Sequence, residues 1–173
     1  MQDFSNESIN IDDLPKFENV DFQSLNPKYK KVIVFNLVIF LTLLIALPMA
    51  LLIIKNDSLP LKLWLLIAIV LPLIFSMVVI YTFRSFKNRG YAFREHDVLF
   101  KSGVLATNTI IIPYNRVQHI AVHQGFISRS LNLATVEIFT AGGNGSDLGI
   151  PGLEKEDAEK IKQLIMSKID TSL

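Results

Sequence analysis

The fold of this chain is decided by two apolar segments, VIVFNLVIFLTLLIALPMALLII at Val32–Ile54 and LWLLIAIVLPLIFSMVVIYTF at Leu63–Phe83. Neither segment contains a charged residue. Because an α-helix rises about 1.5 Å per residue, each segment reaches roughly 30–35 Å, enough to cross a hydrocarbon core of about 30 Å. The sequence therefore predicts a membrane-spanning helical hairpin over residues 27–89, with spans at 32–54 and 61–83.

Basic residues flank this hairpin on the sides of both chain termini. They are Lys28, Lys30, Lys31, Arg84, Lys87 and Arg89. The connecting loop offers only Lys55 and Lys62, with Asp57 between them. Since lysine and arginine near span ends favour the cytoplasmic side, we expect both termini inside the cell and the short loop outside.

The spans contain no Asp, Glu, Lys, Arg or His, the residues through which proton relays and ion pathways usually run. We therefore interpret the hairpin as an anchor. The alternative is a regulatory subunit of a membrane transport or channel assembly. In that case oligomerisation through Asn36 or Ser76 would build a polar path.

After Arg89 the pattern of apolar residues changes from helical to alternating. Short β-rich runs occur at Tyr91–Arg94, Val98–Leu105, Thr109–Ile112, Val117–Gln124, Thr135–Thr140 and Leu148–Ile150. Turn residues separate these runs and leave no room for crossover helices, so the strands are expected to pair antiparallel.

The last segment, Leu153–Ile169, has the spacing of an amphipathic helix. Glu154, Glu156 and Asp157 occupy its first turns and Lys168 its last, as the helix dipole favours. The predicted fold class is a membrane α-helical hairpin plus an α+β, pleckstrin-homology-like domain at residues 90–173. Its curved antiparallel sheet would be closed by this C-terminal helix.

A long ordered motif string sharpens this interpretation. Its parts are IPYNRVQHI at Ile112–Ile120, Gln124-Gly125 with Arg129, LATVEIFTAGG at Leu133–Gly143, and IPGL at Ile150–Leu153. The string resembles the bacterial pleckstrin-homology (PH) domain of YdbS-like membrane proteins, which also carry two transmembrane helices before the domain. Where such families typically have Phe-Gly-Leu-Ala, this chain has Leu131-Asn132-Leu133-Ala134.

The resemblance implies a multi-pass protein of the bacterial inner membrane. It further implies a binding or scaffolding module at the cytoplasmic face. The partner would be a larger membrane protein with PH-like domains, so that the chain is one subunit of an envelope complex. Anionic lipid headgroups are a further expected ligand on a different ground, the basic residues that follow the second span, and no nucleic acid partner is expected.

The N-terminal segment, residues 1–26, is acidic and lacks any helical or strand period. Such a composition buries too little apolar surface to offset the entropy of ordering it, so we predict a disordered tail. The alternative is a short docking motif formed by residues 14–17 with Phe22.

The sequence offers no recognisable catalytic, metal or cofactor site, and we expect neither enzyme activity nor a cofactor. There is no cysteine. His119 and His123 share a strand face, but four residues separate them by about 13 Å, too far for one metal ion. The glycine-rich segment 142–146 lacks the Lys-Ser/Thr of a P-loop, and a hairpin loop is the expected structure.

Two sets of residues remain as candidate binding surfaces. For the membrane surface and its anionic lipids they are Arg84, Lys87, Arg89 and Arg94; for a protein partner they are Arg116, His119, His123 and Arg129. A cation beside the cytoplasmic leaflet gains about 1 kcal/mol from anionic lipids. The competing interpretation is that the first set only fixes topology, and that Arg116 and Arg129 pin the segment 118–124.

Overall fold

Two long helices form the first half of the fold in the computed structural model, which describes residues 20–55, 60–141 and 147–170. Helix α1 covers Tyr29–Lys55 and helix α2 covers Leu61–Lys87, and each continues through its internal proline. Within them, Tyr29–Ala50 and Lys62–Lys87 are long and apolar enough to cross a membrane. The predicted pair of apolar helices is therefore confirmed.

Seven strands and two further helices make up the rest of the described chain. The strands are β1 Gln23–Ser24, β2 Gly90–Phe93, β3 Asp97–Ser102, β4 Asn108–Pro113, β5 Val117–His123, β6 Leu133–Thr140 and β7 Leu148–Glu154. The helices are α3 Phe126–Ser130 and α4 Lys155–Asp170, and a single 3-10 turn at Tyr114–Arg116 joins β4 to β5.

The strands form two antiparallel sheets, one in the order β1-β2-β3-β4 and the other in the order β5-β6-β7. Helix α4 packs on β5, β6 and β7. This arrangement is consistent with the predicted PH-like class, in which antiparallel strands are closed by a C-terminal helix.

The core lies between the two sheets and α4. Its fully buried side chains include Val98, Val136, Ile138, Ile150 and Ile165. Alternate residues of β6 are buried, because successive side chains of a strand point to opposite faces. The apolar stripe of α4 covers these side chains, as its sequence spacing predicted.

The start of the folded chain differs from the prediction of a disordered tail over residues 1–26. Gln23 and Ser24 pair with Tyr91 and Gly90 at the edge of the first sheet, and Leu25 is buried in the core. A strand of two residues has too little length to show an alternating pattern, so only tertiary contacts define it. Residues 1–19, including the proposed docking motif at residues 14–17, lie outside the described residues.

Helix α3 was not expected from the sequence. The residue that follows its C-terminal end, Asn132, accounts for the departure from the family's Phe-Gly-Leu-Ala. Asn132, which follows α3, has a φ of 56°, a left-handed conformation that glycine adopts freely and asparagine tolerates. Its carbonyl accepts the backbone N–H of Lys155 at 3.1 Å, where α4 begins. Asparagine at this position therefore keeps the turn that glycine would make.

The domain is joined to the helical pair by contacts around the start of α1. The Asn26 N–H donates to the carbonyl of Gly152 at 3.0 Å, and Lys28 forms an ion pair with Glu154 at 3.3 Å. The rings of Tyr29 and Phe86 stack with centroids 6.3 Å apart, which ties the start of α1 to the end of α2. Helix α3 also contacts α1. The domain therefore sits directly on one end of the helical pair.

Candidate functional site

The strands run between two opposite ends of the domain. We call the end that adjoins α1 and α2 the proximal end. It contains the β3–β4 loop at residues 103–107, helix α3 and the start of α4. The opposite, distal end contains the β2–β3 turn, the 3-10 turn and the C-terminal part of α4. If α1 and α2 cross a membrane, the proximal end faces its surface.

Several cations at the proximal end have no carboxylate partner among the described residues. They are Lys30, Lys31, Arg84, Lys87, Arg89 and Lys101. The Lys30 ammonium lies 5.6 Å from the centre of the Phe86 ring, and that of Lys101 lies 5.7 Å from the Phe22 ring. Aromatic contacts orient these two cations without neutralising their charge. The proximal end is therefore a positively charged surface.

A groove of about 430 Å³ lies within this charged surface. Lys87 and Arg89 from the end of α2 line one side of it, and Lys101 from β3 lines another. The Asn88 amide donates to the carbonyl of Gly103 at 3.0 Å, which fixes the β3–β4 loop against the end of α2. Three cations around one open groove suit a phosphate-bearing ligand.

Two large apolar side chains stand out from the same end of the domain. Leu105, in the β3–β4 loop, is 97% exposed, and Phe126, the first residue of α3, is 85% exposed. Exposed leucine and phenylalanine side chains at an end that also carries cations have the chemistry of a surface that contacts lipid, since apolar burial and attraction to anionic headgroups both contribute to such contact. Sequence reasoning assigned Leu105 to a strand and passed over Phe126. The available signal was an apolar residue within a turn-like, polar context.

Of the lipid candidates, Arg84, Lys87 and Arg89 lie together at the end of α2, whereas Arg94 lies at the distal end. The Arg94 guanidinium donates to both carboxylate oxygens of Asp97, from Nε at 2.6 Å. That hydrogen bond raises the pKa of Arg94. Tyr114 donates its hydroxyl to the Arg94 carbonyl at 2.9 Å, and burial, with the charge of Asp97 second, raises the pKa of Tyr114 to about 12. Arg94 therefore belongs to a structural turn, away from the charged surface.

The partner-surface candidates are spread along the length of the domain. Arg116 lies in the distal 3-10 turn, while Arg129 lies on the proximal helix α3. His119 and His123 are exposed on β5, an edge strand, and the His119 ring stacks on Phe139 with centroids 4.1 Å apart. These four residues do not converge on one point.

No group of three or more His, Asp or Glu side chains arranged for a metal ion occurs in the described ranges. Thr140 donates two hydrogen bonds to Asp147, one from its hydroxyl and one from its backbone N–H, and these lower the pKa of that carboxyl. This contact links the end of β6 to the residue that precedes β7. The glycine-rich segment 142–146 lies outside the described residues.

Comparison with known proteins gives a family match that includes both the helical pair and the PH-like domain. The model of the bacterial PH domain family matches residues 32–169. The UPF0699 transmembrane protein YdbS of Bacillus subtilis (strain 168) is 39% identical to this chain over 75 residues. The match covers 43% of this chain and 45% of YdbS, so it spans less than half the length of that relative. No solved structure matches the chain significantly.

The order of the structural elements agrees with this match. Two long apolar helices come first, antiparallel sheets follow, and a C-terminal helix packs on them. The matched range begins in α1 and ends in α4. The chain therefore belongs to the bacterial PH domain family and is a transmembrane protein similar to YdbS.

Proposed function

We propose that this chain is a membrane-anchored binding and scaffolding module whose PH-like domain rests on the cytoplasmic leaflet of the cell membrane. The helical pair is the anchor, and the proximal end of the domain is the surface that meets the lipid headgroups. The observation that carries this proposal is the position of Leu105 and Phe126. Both are exposed at the end nearest the predicted spans, and the same end carries cations that form no ion pair with a described residue.

The energetics of that surface favour contact with lipid. Burying one leucine or phenylalanine side chain contributes about 1.5–3 kcal/mol. Each nearby lysine or arginine adds about 1 kcal/mol when the leaflet is anionic. Because the domain is already tethered to the bilayer by α1 and α2, even a weak surface contact would hold it in one orientation.

Tryptophan quenching tests this contact directly. The single native tryptophan, Trp64, is replaced by phenylalanine, and tryptophan is introduced at Leu105 or at Phe126. In vesicles whose lipids are brominated in the upper acyl chain, we expect strong quenching at both positions, because both side chains enter the interface. The matched control is Met166→Trp, at an exposed site in the last turns of α4, where we expect little quenching. Equal quenching at all three positions would contradict the proposal.

We further propose that the module is one subunit of an envelope complex with a larger membrane protein that carries PH-like domains. Resemblance to the YdbS-like family supports this, and so does the apolar surface of α1 and α2, most of which faces away from the rest of the chain in the described residues. Crosslinking in native membranes checks it. One recurrent membrane protein with PH-like domains is expected, whereas recovery of lipid alone would contradict the subunit assignment.

A further inference from the structure

A second cavity, separate from the basic groove, lies between α1 and α2 at the end that adjoins the domain. It has a volume of about 250 Å³. Ile33, Leu37 and Phe40 of α1 and Val78 of α2 form its apolar wall. For comparison, a dry apolar cavity of about 150 Å³ is large enough to bind benzene. The cavity is therefore large enough to hold a length of hydrocarbon chain.

The cavity has the depth of one lipid leaflet. Its lining runs along α1 from Tyr29 to Phe40, which is about 16 Å at the helical rise. Half of a hydrocarbon core of about 30 Å is roughly 15 Å. An acyl chain that entered at the membrane surface would therefore follow the cavity to the middle of the bilayer.

Arg89 joins this cavity to the basic groove, because its side chain lines both. It lies just beyond the end of α2 and makes no side-chain ion pair with a described residue. A guanidinium at the mouth of an apolar cavity matches a phosphate that is covalently attached to a hydrocarbon chain. Lys87 and Lys101 add positive charge on the groove side of Arg89.

Asn36 supplies an independent indication of a ligand. Its side chain lines the cavity within a predicted span, is exposed, and forms no hydrogen bond with any described residue. By contrast, Thr82 across the cavity donates its hydroxyl to the carbonyl of Val78 at 2.7 Å. An amide without a hydrogen-bond partner in hydrocarbon costs free energy. The Asn36 side chain would therefore be stabilised by an acceptor outside the described part of the chain. The ester carbonyl of a glycerophospholipid is such an acceptor.

We propose that the α1–α2 cavity binds a single anionic glycerophospholipid. Arg89 holds its phosphate, Asn36 donates to an ester carbonyl, and one acyl chain lies along Ile33, Leu37 and Val78. The site rests on the proposed location of the domain at the membrane surface and specifies the ligand there. A bound lipid would lie between α1 and α2, next to Arg89, where α2 leads into the domain.

Native mass spectrometry of the full chain tests this site. The protein is extracted from nanodiscs of phosphatidylglycerol or of phosphatidylcholine, and the retained lipids are counted. We expect one tightly retained phosphatidylglycerol and little phosphatidylcholine. Glycerol phosphate, a free headgroup, should not displace the lipid, because it lacks the acyl chain.

Three variants separate this site from general surface attraction. Arg89→Gln should weaken retention at least about tenfold, as loss of a charge-assisted hydrogen bond predicts. Val78→Trp should block the cavity with the positive charge unchanged. Arg84→Gln is the matched control, because Arg84 is exposed at the end of α2 but does not line the cavity, and it should retain the lipid. Melting temperatures confirm that each variant is folded.

Two results would overturn the site. One is equal retention by Arg89→Gln and Arg84→Gln. The other is that a second copy of the chain, and no lipid, is retained, and that this dimer is lost in the Asn36→Leu variant. That result would make the cavity a helix–helix interface. Either result could occur while the Leu105→Trp and Phe126→Trp variants are still quenched by brominated lipid. Failure of this site is therefore distinguishable from failure of the proposed function.

Discussion

Replacing Gly152 with alanine is expected to destabilise the junction between the domain and the anchor strongly. Gly152 has a φ of +68°, and a Cβ there would lie 2.8 Å from both Cβ and Cγ of Tyr29. The backbone conformation alone costs about 1–2 kcal/mol for a residue with a Cβ. The steric overlap adds about 1–3 kcal/mol, because Tyr29 is held between Gly152 and the Phe86 ring.

The expected readouts are a lowered melting temperature of the full chain in detergent and faster proteolysis near residues 26–28. Gly149→Ala is the matched control. Gly149 lies in the same strand, and a Cβ there would meet no atom within 4 Å. A melting temperature for Gly152→Ala equal to that of Gly149→Ala would show that the domain does not depend on the contact with Tyr29.

The second large effect is expected at Ile165, a fully buried residue with which α4 covers the core. Ile165→Ala should destabilise the domain by about 2–5 kcal/mol, since it removes buried methyl groups and leaves a cavity. That loss is a large fraction of the stability of a domain of ordinary size, about 5–15 kcal/mol. The domain should therefore unfold at a much lower temperature, while the apolar helices remain helical.

Leu164→Ala is the control for this substitution, because its side chain is 41% exposed on the same turn of α4. It should shift the melting temperature far less than Ile165→Ala does. Circular dichroism resolves the two parts of the chain, since loss of β signal with retained helical signal reports unfolding of the domain alone. Equal shifts for the two variants would mean that α4 does not cover the core as the structure shows.

Much of this fold could be predicted because its signals are local. The two apolar helices follow from uninterrupted apolar sequence, and α4 follows from its 3.6-residue period and its end charges. The sequence pattern located each strand from β2 to β7, and the predicted boundaries differ from the observed ones by a few residues. These patterns depend on neighbours along the chain, so one sequence suffices to find them.

The features that escaped prediction depend on contacts between distant segments. Helix α3 is five residues long, too short to display a helical period, and it packs on α1. Strand β1 is defined only by its pairing with β2. Arg94 follows shortly after Arg89 in sequence, yet one strand carries it to the other end of the domain. Strand direction, which no local pattern reveals, decided which cations share a surface.

Asn36 shows the same limit within the predicted spans. Its sequence context marks a polar residue in an apolar helix but cannot show what it faces. In the structure it lines the cavity whose mouth holds Arg89, a residue more than fifty positions later in the chain. Only the folded arrangement brings the amide and the guanidinium into one site.

Cysteine accessibility in intact cells tests most directly whether the PH-like domain lies at the cytoplasmic face. The chain has no native cysteine, so Glu159→Cys on the exposed face of α4 and Ser58→Cys, which lies between the two spans in the sequence, each give a single label site. With a membrane-impermeant maleimide, we predict labelling of Ser58→Cys in intact cells, and labelling of Glu159→Cys only after permeabilisation. Labelling of Glu159→Cys in intact cells would place the domain outside and contradict the proposed function.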